Sequence, residues 1–141
     1  MKLKVHHQLL AMGLSPNELK VYCYLMSCAT DGIAIVRAGR IAERCQISRA
    51  TVQTACTSMA AKGVLSKVNR YADGHLVANA YHLSTFTGRF FMLDADAAVF
   101  GLSGSVFTTY LALLSHRGRN GKAFPSLRKL AVALRLCRTT I

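Results

Sequence analysis

Apolar residues recur at spacings of three and four through Leu19, Tyr22, Cys23, Leu25 and Met26. That period belongs to an α-helix with one buried stripe. Ser15, Pro16 and Glu18 stand where an N-cap, a first helical residue and a third helical residue would stand, which is a strong helix start. Thr30-Asp31-Gly32 ends the helix, and Ile33–Val36 reads as a short strand. A second helix is predicted over Ala38–Cys45, with Ile41 and Ala42 facing inward. Ser48 caps a third, which runs to about Lys62 and stops at Gly63. Residues 64–70 and 76–83 then alternate around Asp73-Gly74, the pattern of a β-hairpin. The order is helix, strand, helix, turn, helix, hairpin. It predicts a mainly α chain with a small β-hairpin wing (α+β).

The second and third helices are joined by very few residues, so they must cross steeply and touch at one point. Ala42 is small enough for that contact, and Ile47 fills the space beneath the turn. Val52, Cys56 and Met59 hold the third helix to the first. The opposite face carries Arg49, Gln53 and Thr57 at intervals of four, flanked by Ala50 and Thr54. No acid interrupts it. An outward strip of basic and uncharged polar residues on a three-helix core suits the major groove of DNA. Arg49 can donate a bidentate pair to guanine or bind a phosphate, Gln53 can pair with adenine, and Ala50 and the methyls of Thr51, Thr54 and Thr57 can touch thymine methyls. The Ser48 hydroxyl and the free N–H groups of the first turn can hold a phosphate. Lys67, Arg70 and His75 place positive or titratable groups near the hairpin tip, and Arg37, Arg40 and Lys62 are further phosphate candidates.

The totals strengthen this picture. The chain has 141 residues, 18 Lys+Arg against 6 Asp+Glu, and a formal net charge of +12. Such an excess implies a polyanionic partner. The six acids are scattered among caps, turns and one alternating pair, Asp94 and Asp96, which reads as a linker or edge strand. No Ser-His-Asp set, phosphate loop or metal cluster is written, so the chain is expected not to be an enzyme and to need no cofactor. The five cysteines have irregular spacing and no Cys-x-x-Cys, which reads as buried free thiols in a reducing cytoplasm. His6-His7 reads as an exposed feature of the N-terminus. Residues 97–115 carry no charge but include two glycines, three serines and two threonines, a poor composition for a membrane span.

The chain also repeats itself. Shifted by 88 residues, GLSPNELKVYCYLMS (13–27) falls on GLSGSVFTTYLALLS (101–115), with Gly13/Gly101, Leu14/Leu102, Ser15/Ser103, Tyr22/Tyr110, Leu25/Leu113 and Ser27/Ser115 identical. With one more residue in a glycine-bearing loop, residues 35–52 fall on 124–141, matching Ala42/Ala131, Arg49/Arg138 and Thr51/Thr140. The expected division is one unit at 1–88 and a second, cut short, at 89–141. Residues 117–141 hold seven basic side chains and no acid, among them Arg128 and Arg138, the strongest local electrostatic signal in the chain.

LSPNELKVYCYLMS, RIAERCQISRATVQTACTSMAAKGVLSKV and the hairpin after them together resemble a bacterial winged helix-turn-helix domain. GKAFPSLRKLAVALRLCRTTI resembles its second and third helices again. The resemblance implies a tandem winged helix-turn-helix chain that binds double-stranded DNA. Such domains occur in transcription regulators and in plasmid and phage replication initiators, and paired copies are similar to the initiator arrangement. It departs from the pattern at Gln46 and Arg135, where glycine is common in the turn, and at Cys137, where copy one has the cap Ser48. The rival reading is a protein-interaction or dimerisation module, with a homodimer as one form.

Overall fold

The computed structural model describes residues 2–76 and 78–115. The chain opens with strand β1 (Lys2–His6) and a short turn of helix, α1 (His7–Leu10). Next is α2 (Pro16–Cys28), started by a reciprocal cap: Ser15 Oγ accepts from the Glu18 N–H at 3.2 Å, and Glu18 Oε2 accepts from the Ser15 N–H at 3.4 Å. Strand β2 (Ile33–Val36), α3 (Ala38–Cys45) and α4 (Arg49–Ala61) follow. The bounds of β2 and α3 agree with the sequence pattern, and α4 ends within a residue of it.

The turn between α3 and α4 is made without glycine. Gln46 adopts the left-handed conformation (φ 55°, ψ 48°), and the Ile47 N–H closes back on the Ala42 carbonyl at 3.0 Å. This is the usual left-handed helix stop, paid for by a non-glycine residue. Ser48 then caps α4 by accepting from the Thr51 N–H at 3.0 Å. Gly63 (φ 75°) stops α4 in the expected way, with the Val64 N–H on the Met59 carbonyl.

The wing is longer than one simple hairpin. β3 (Leu65–Val68) pairs with β6 (Asn79–Leu83), and between them β4 (Tyr71–Ala72) and β5 (His75–Leu76) form a second, small ladder around Asp73-Gly74. Both turn residues have positive φ, 52° and 79°, as a two-residue hairpin turn requires. β2 joins on the other side of β6, giving a three-stranded antiparallel sheet in the order β2-β6-β3. Its inner face supplies Ala34, Val36, Leu65 and Tyr81 to the core.

A second sheet was not foreseen. β7 (Phe90–Asp94) pairs antiparallel with β1, Lys2 opposite Asp94 and Lys4 opposite Met92. His6 is therefore not a loose terminal residue: it sits in a strand, half-buried, with its ring edge-on to Phe90. Asp94 is in a strand too, exposed and paired with Lys2 at 3.0 Å. Beyond β7, α5 (Ala97–Phe100) leads to α6 (Gly104–Ser115), which packs on α2. Leu93, Phe100, Phe107 and Leu111 join the same core as Leu19, Ile41, Val52 and Met59. As a result α2 is buried on every side: the eight consecutive residues from Glu18 to Leu25 are all buried.

Two of those eight are charged. Glu18 accepts from Ser58 Oγ at 2.9 Å and from Lys62 Nζ at 2.9 Å, as well as from the N-cap. Burial raises its pKa, but the hydrogen bonds from Lys62, Ser58 and the Ser15 N–H outweigh that and hold the carboxyl below its ordinary value. Lys62, a sequence candidate for phosphate contact, is thus engaged with Glu18 and the Gly13 carbonyl. Lys20 donates to the carbonyls of Cys45 at 2.8 Å and Leu102 at 2.6 Å, and burial pulls its ammonium below the usual lysine range. Three of the four described cysteines are buried; Cys28 is exposed, contrary to the expectation of buried thiols throughout. Burial pushes Cys23 and Cys45 up to about 12, so neither is ionised at neutral pH.

Glu18 yields a first prediction. Glu18→Ala strips an acceptor from Ser58 of α4, from Lys62 just past its end and from the cap of α2, so it is expected to cost about 1–3 kcal/mol. A carboxyl held low in the folded state stabilises above its unfolded value, and that benefit is lost as pH falls through the folded one. The gap in melting temperature between parent and variant should therefore be wide at neutral pH and close as pH drops below 4.5, the ordinary carboxyl value. A gap that stays constant into acid would mean that the carboxylate is not the source.

Candidate nucleic-acid interface

α4 is fixed by its inner face. Val52, Ala55, Cys56 and Met59 are buried against α2 and the sheet, spaced so that they share one side of the helix. This forces the other side outward: Arg49, Ala50, Gln53, Thr54 and Thr57 are all exposed. Thr51 lies between the two sides, half-buried, with its hydroxyl 2.7 Å from Ser48 Oγ. Both hydroxyls are thus partly committed to the cap. No acid stands on the outer side of α4.

Two shallow recesses flank this strip. On one side Arg49 and Gln53 share a cleft with Arg37, Ala38 and Gly39 at the start of α3, and with Lys67, Asn69 and Asn79 of the wing. Gly39 has a specific part in it. A Cβ built there would lie 2.6 Å from an Arg49 terminal nitrogen, so the guanidinium rests in the space the missing side chain leaves. Arg37, the N-cap of α3, makes no capping hydrogen bond with its side chain. The first N–H groups of α3, the Arg49 guanidinium, Arg37 and Lys67 therefore gather positive potential at one spot. On the other side Ala50, Thr51 and Thr54 border a recess with Ser15, Asn17 and Ser58.

The structure brings Arg37, Arg49, Gln53 and Lys67 together, but not Arg40. Arg40 lines a separate recess with Tyr24, Arg44, Asp96 and Phe100 on the far side of α3. Arg70 is exposed between β3 and β4, and His75 opens β5 beside the wing turn. Arg128 and Arg138 lie outside the described residues. Gly39, Asn69 and Asn79 were not singled out from sequence. Asn69 adjoins a basic stretch and could have been flagged; Gly39 and Asn79 meet the cleft only because α3 and β6 fold back beside α4.

Residues 12–65, from just before α2 to the first residue of β3, match the helix-turn-helix domain family. That match supports a helix-turn-helix domain over those residues, of a kind that points to DNA binding. No curated protein and no solved structure matches the chain. Among the described residues, no helix is long and apolar enough to cross a membrane, and no three metal-binding side chains cluster.

Proposed function

We propose that the chain binds double-stranded DNA sequence-specifically, as a transcription regulator or replication initiator, with α4 in the major groove and the β3–β6 wing along the neighbouring backbone. The observation that carries this reading is the exposed, acid-free strip Arg49–Gln53–Thr57 beside the cleft where Arg37, Arg49 and Lys67 meet. The roles divide by geometry. Arg49 lies back against Gly39 at the positive end of α3, where a phosphate oxygen would be held by the guanidinium and the helix N–H groups together. Arg37 and Lys67 reinforce that clamp. Gln53, Ala50, Thr54 and Thr57 are left to face base edges.

The division is testable by binding to a panel of duplexes. Gln53→Ala should cost about 1–3 kcal/mol on the preferred sequences and little on others. Arg49→Ala should weaken all duplexes about equally and reduce the salt slope by roughly one. Both side chains are exposed, so neither change should move the melting temperature much. If both variants bind like the parent, α4 is not the reading helix. Weak binding that ignores salt would favour the protein-interaction reading instead.

A further inference from the structure

α3 carries a glycine in its first turn that its own backbone does not need. Gly39 is helical and is not among the glycines with positive φ, so alanine would suit the backbone there. Glycine inside a helix is less stable than alanine, because its unfolded chain has more freedom to lose. What it supplies at this position is room. The three atoms nearest to a Cβ built on Gly39 all belong to Arg49: a terminal nitrogen at 2.6 Å, Nε at 3.0 Å and Cζ at 3.1 Å. Atoms in ordinary contact stand about 3.5–4.0 Å apart, so the guanidinium occupies the place of the missing side chain. No charge partner draws it there. The ion pairs of the described residues join Lys2 to Asp94 and Lys62 to Glu18. Arg37 and Lys67 line the same cleft, and among the described residues no acid does. Shape, not an internal partner, puts Arg49 against α3.

We infer that Gly39 is a positioning residue that decides what Arg49 touches. With glycine at 39 the guanidinium leans on α3, beside Arg37 and Lys67, and meets a phosphate. With a side chain at 39 it swings off α3 toward the groove floor. There the first residue of α4 comes within reach of base edges, and arginine pairs with guanine O6 and N7. Gly39 thus sets the boundary between backbone contact and base reading on α4. It keeps Arg49 on the backbone and leaves the bases to Gln53, one turn further along the same cleft.

This inference rests on the DNA-binding reading above, and two readouts on the full 141-residue chain keep the two apart. The first needs no DNA. Gly39→Ala should raise the melting temperature more in an Arg49→Ala background than in the parent, because only in the parent must the new methyl displace a guanidinium. Equal shifts in the two backgrounds would mean that Arg49 does not rest on Gly39, and would overturn the inference. The second readout is binding across a salt series to duplexes in which each base pair of the preferred site is varied in turn. In Gly39→Ala the salt slope should become shallower by about 0.9, one phosphate contact. Duplexes with a guanine in reach of Arg49 should gain a preference of roughly 5- to 150-fold. In the Arg49→Ala background the same change at 39 should alter neither slope nor preference, since both effects run through the guanidinium. Parent-like slope and preferences in Gly39→Ala, or changes that persist without Arg49, would overturn the inference and leave DNA binding by α4 intact. A parent chain that binds no duplex would overturn the DNA reading, and the role of Gly39 with it.

Discussion

Duplex binding should fall roughly 500-fold when salt rises from about 50 to 200 mM, because each phosphate neutralised contributes about 0.9 to the slope of log affinity against log salt. The magnitude follows from the candidate contacts. Arg37, Arg40, Arg49, Lys67 and Arg70 are five exposed cations. If all five reach phosphates, the slope is about −4.5. Arg40 stands on the far side of α3, so a slope nearer −3.6 would say that it takes no part. A slope steeper than −4.5 would draw in the basic stretch 117–141. Lys62 should add nothing, since its ammonium is already held by Glu18. Fluorescence anisotropy over a salt series reads the slope directly. A slope near zero, with any affinity, would rule out phosphate contact as the basis of binding.

Met59→Ala should cost about 2–5 kcal/mol, the usual range for truncating a fully buried long apolar side chain. Met59 has no exposed surface and belongs to the core between α4, α2 and the sheet. The loss should lower the melting temperature by about 6–20 °C, given the usual few degrees per kcal/mol for a chain of this size. Thr57→Ala, two residues away on the exposed side of the same helix, should stay within about 0.5 kcal/mol of the parent. The contrast matters more than either value. It tests which side of α4 is inside, and the proposed DNA-reading strip depends on that orientation. Equal and small effects at the two positions would place α4 the wrong way round.

Much of the helix-turn-helix could be read directly from local signals. Ser15, Pro16 and Glu18 marked the start of α2, Ser48 the start of α4 and Gly63 its end, because caps and stops act within a few residues of chain. The outward strip on α4 was legible because a helix fixes its faces by period alone. The cleft was only half legible. Arg49, Gln53 and Lys67 stood out by charge and spacing, but Gly39 and Asn79 have no signal of their own. They matter because β6 and the start of α3 come to lie beside α4, and such long-range neighbours leave no periodic trace in a single sequence.

The sequence by itself determined the order of elements from α2 to the hairpin, the inward and outward faces of α4, the excess of positive charge and the recurrence at 88 residues. Each is a local or additive property, so no knowledge of the fold is needed to read it. Only the tertiary structure decided that β1 finds β7, that α6 covers the second side of α2, and that Glu18 and Lys20 are enclosed with their partners. In sequence α2 showed one apolar stripe, through Leu19, Tyr22, Cys23, Leu25 and Met26, and Lys20, Val21 and Tyr24 lie off it. They are buried because the chain returns, some seventy residues or more later, with Leu102 above Lys20 and Phe100 against Tyr24. Burial on that side is a property of what packs there, and a helix does not carry that information in its own period.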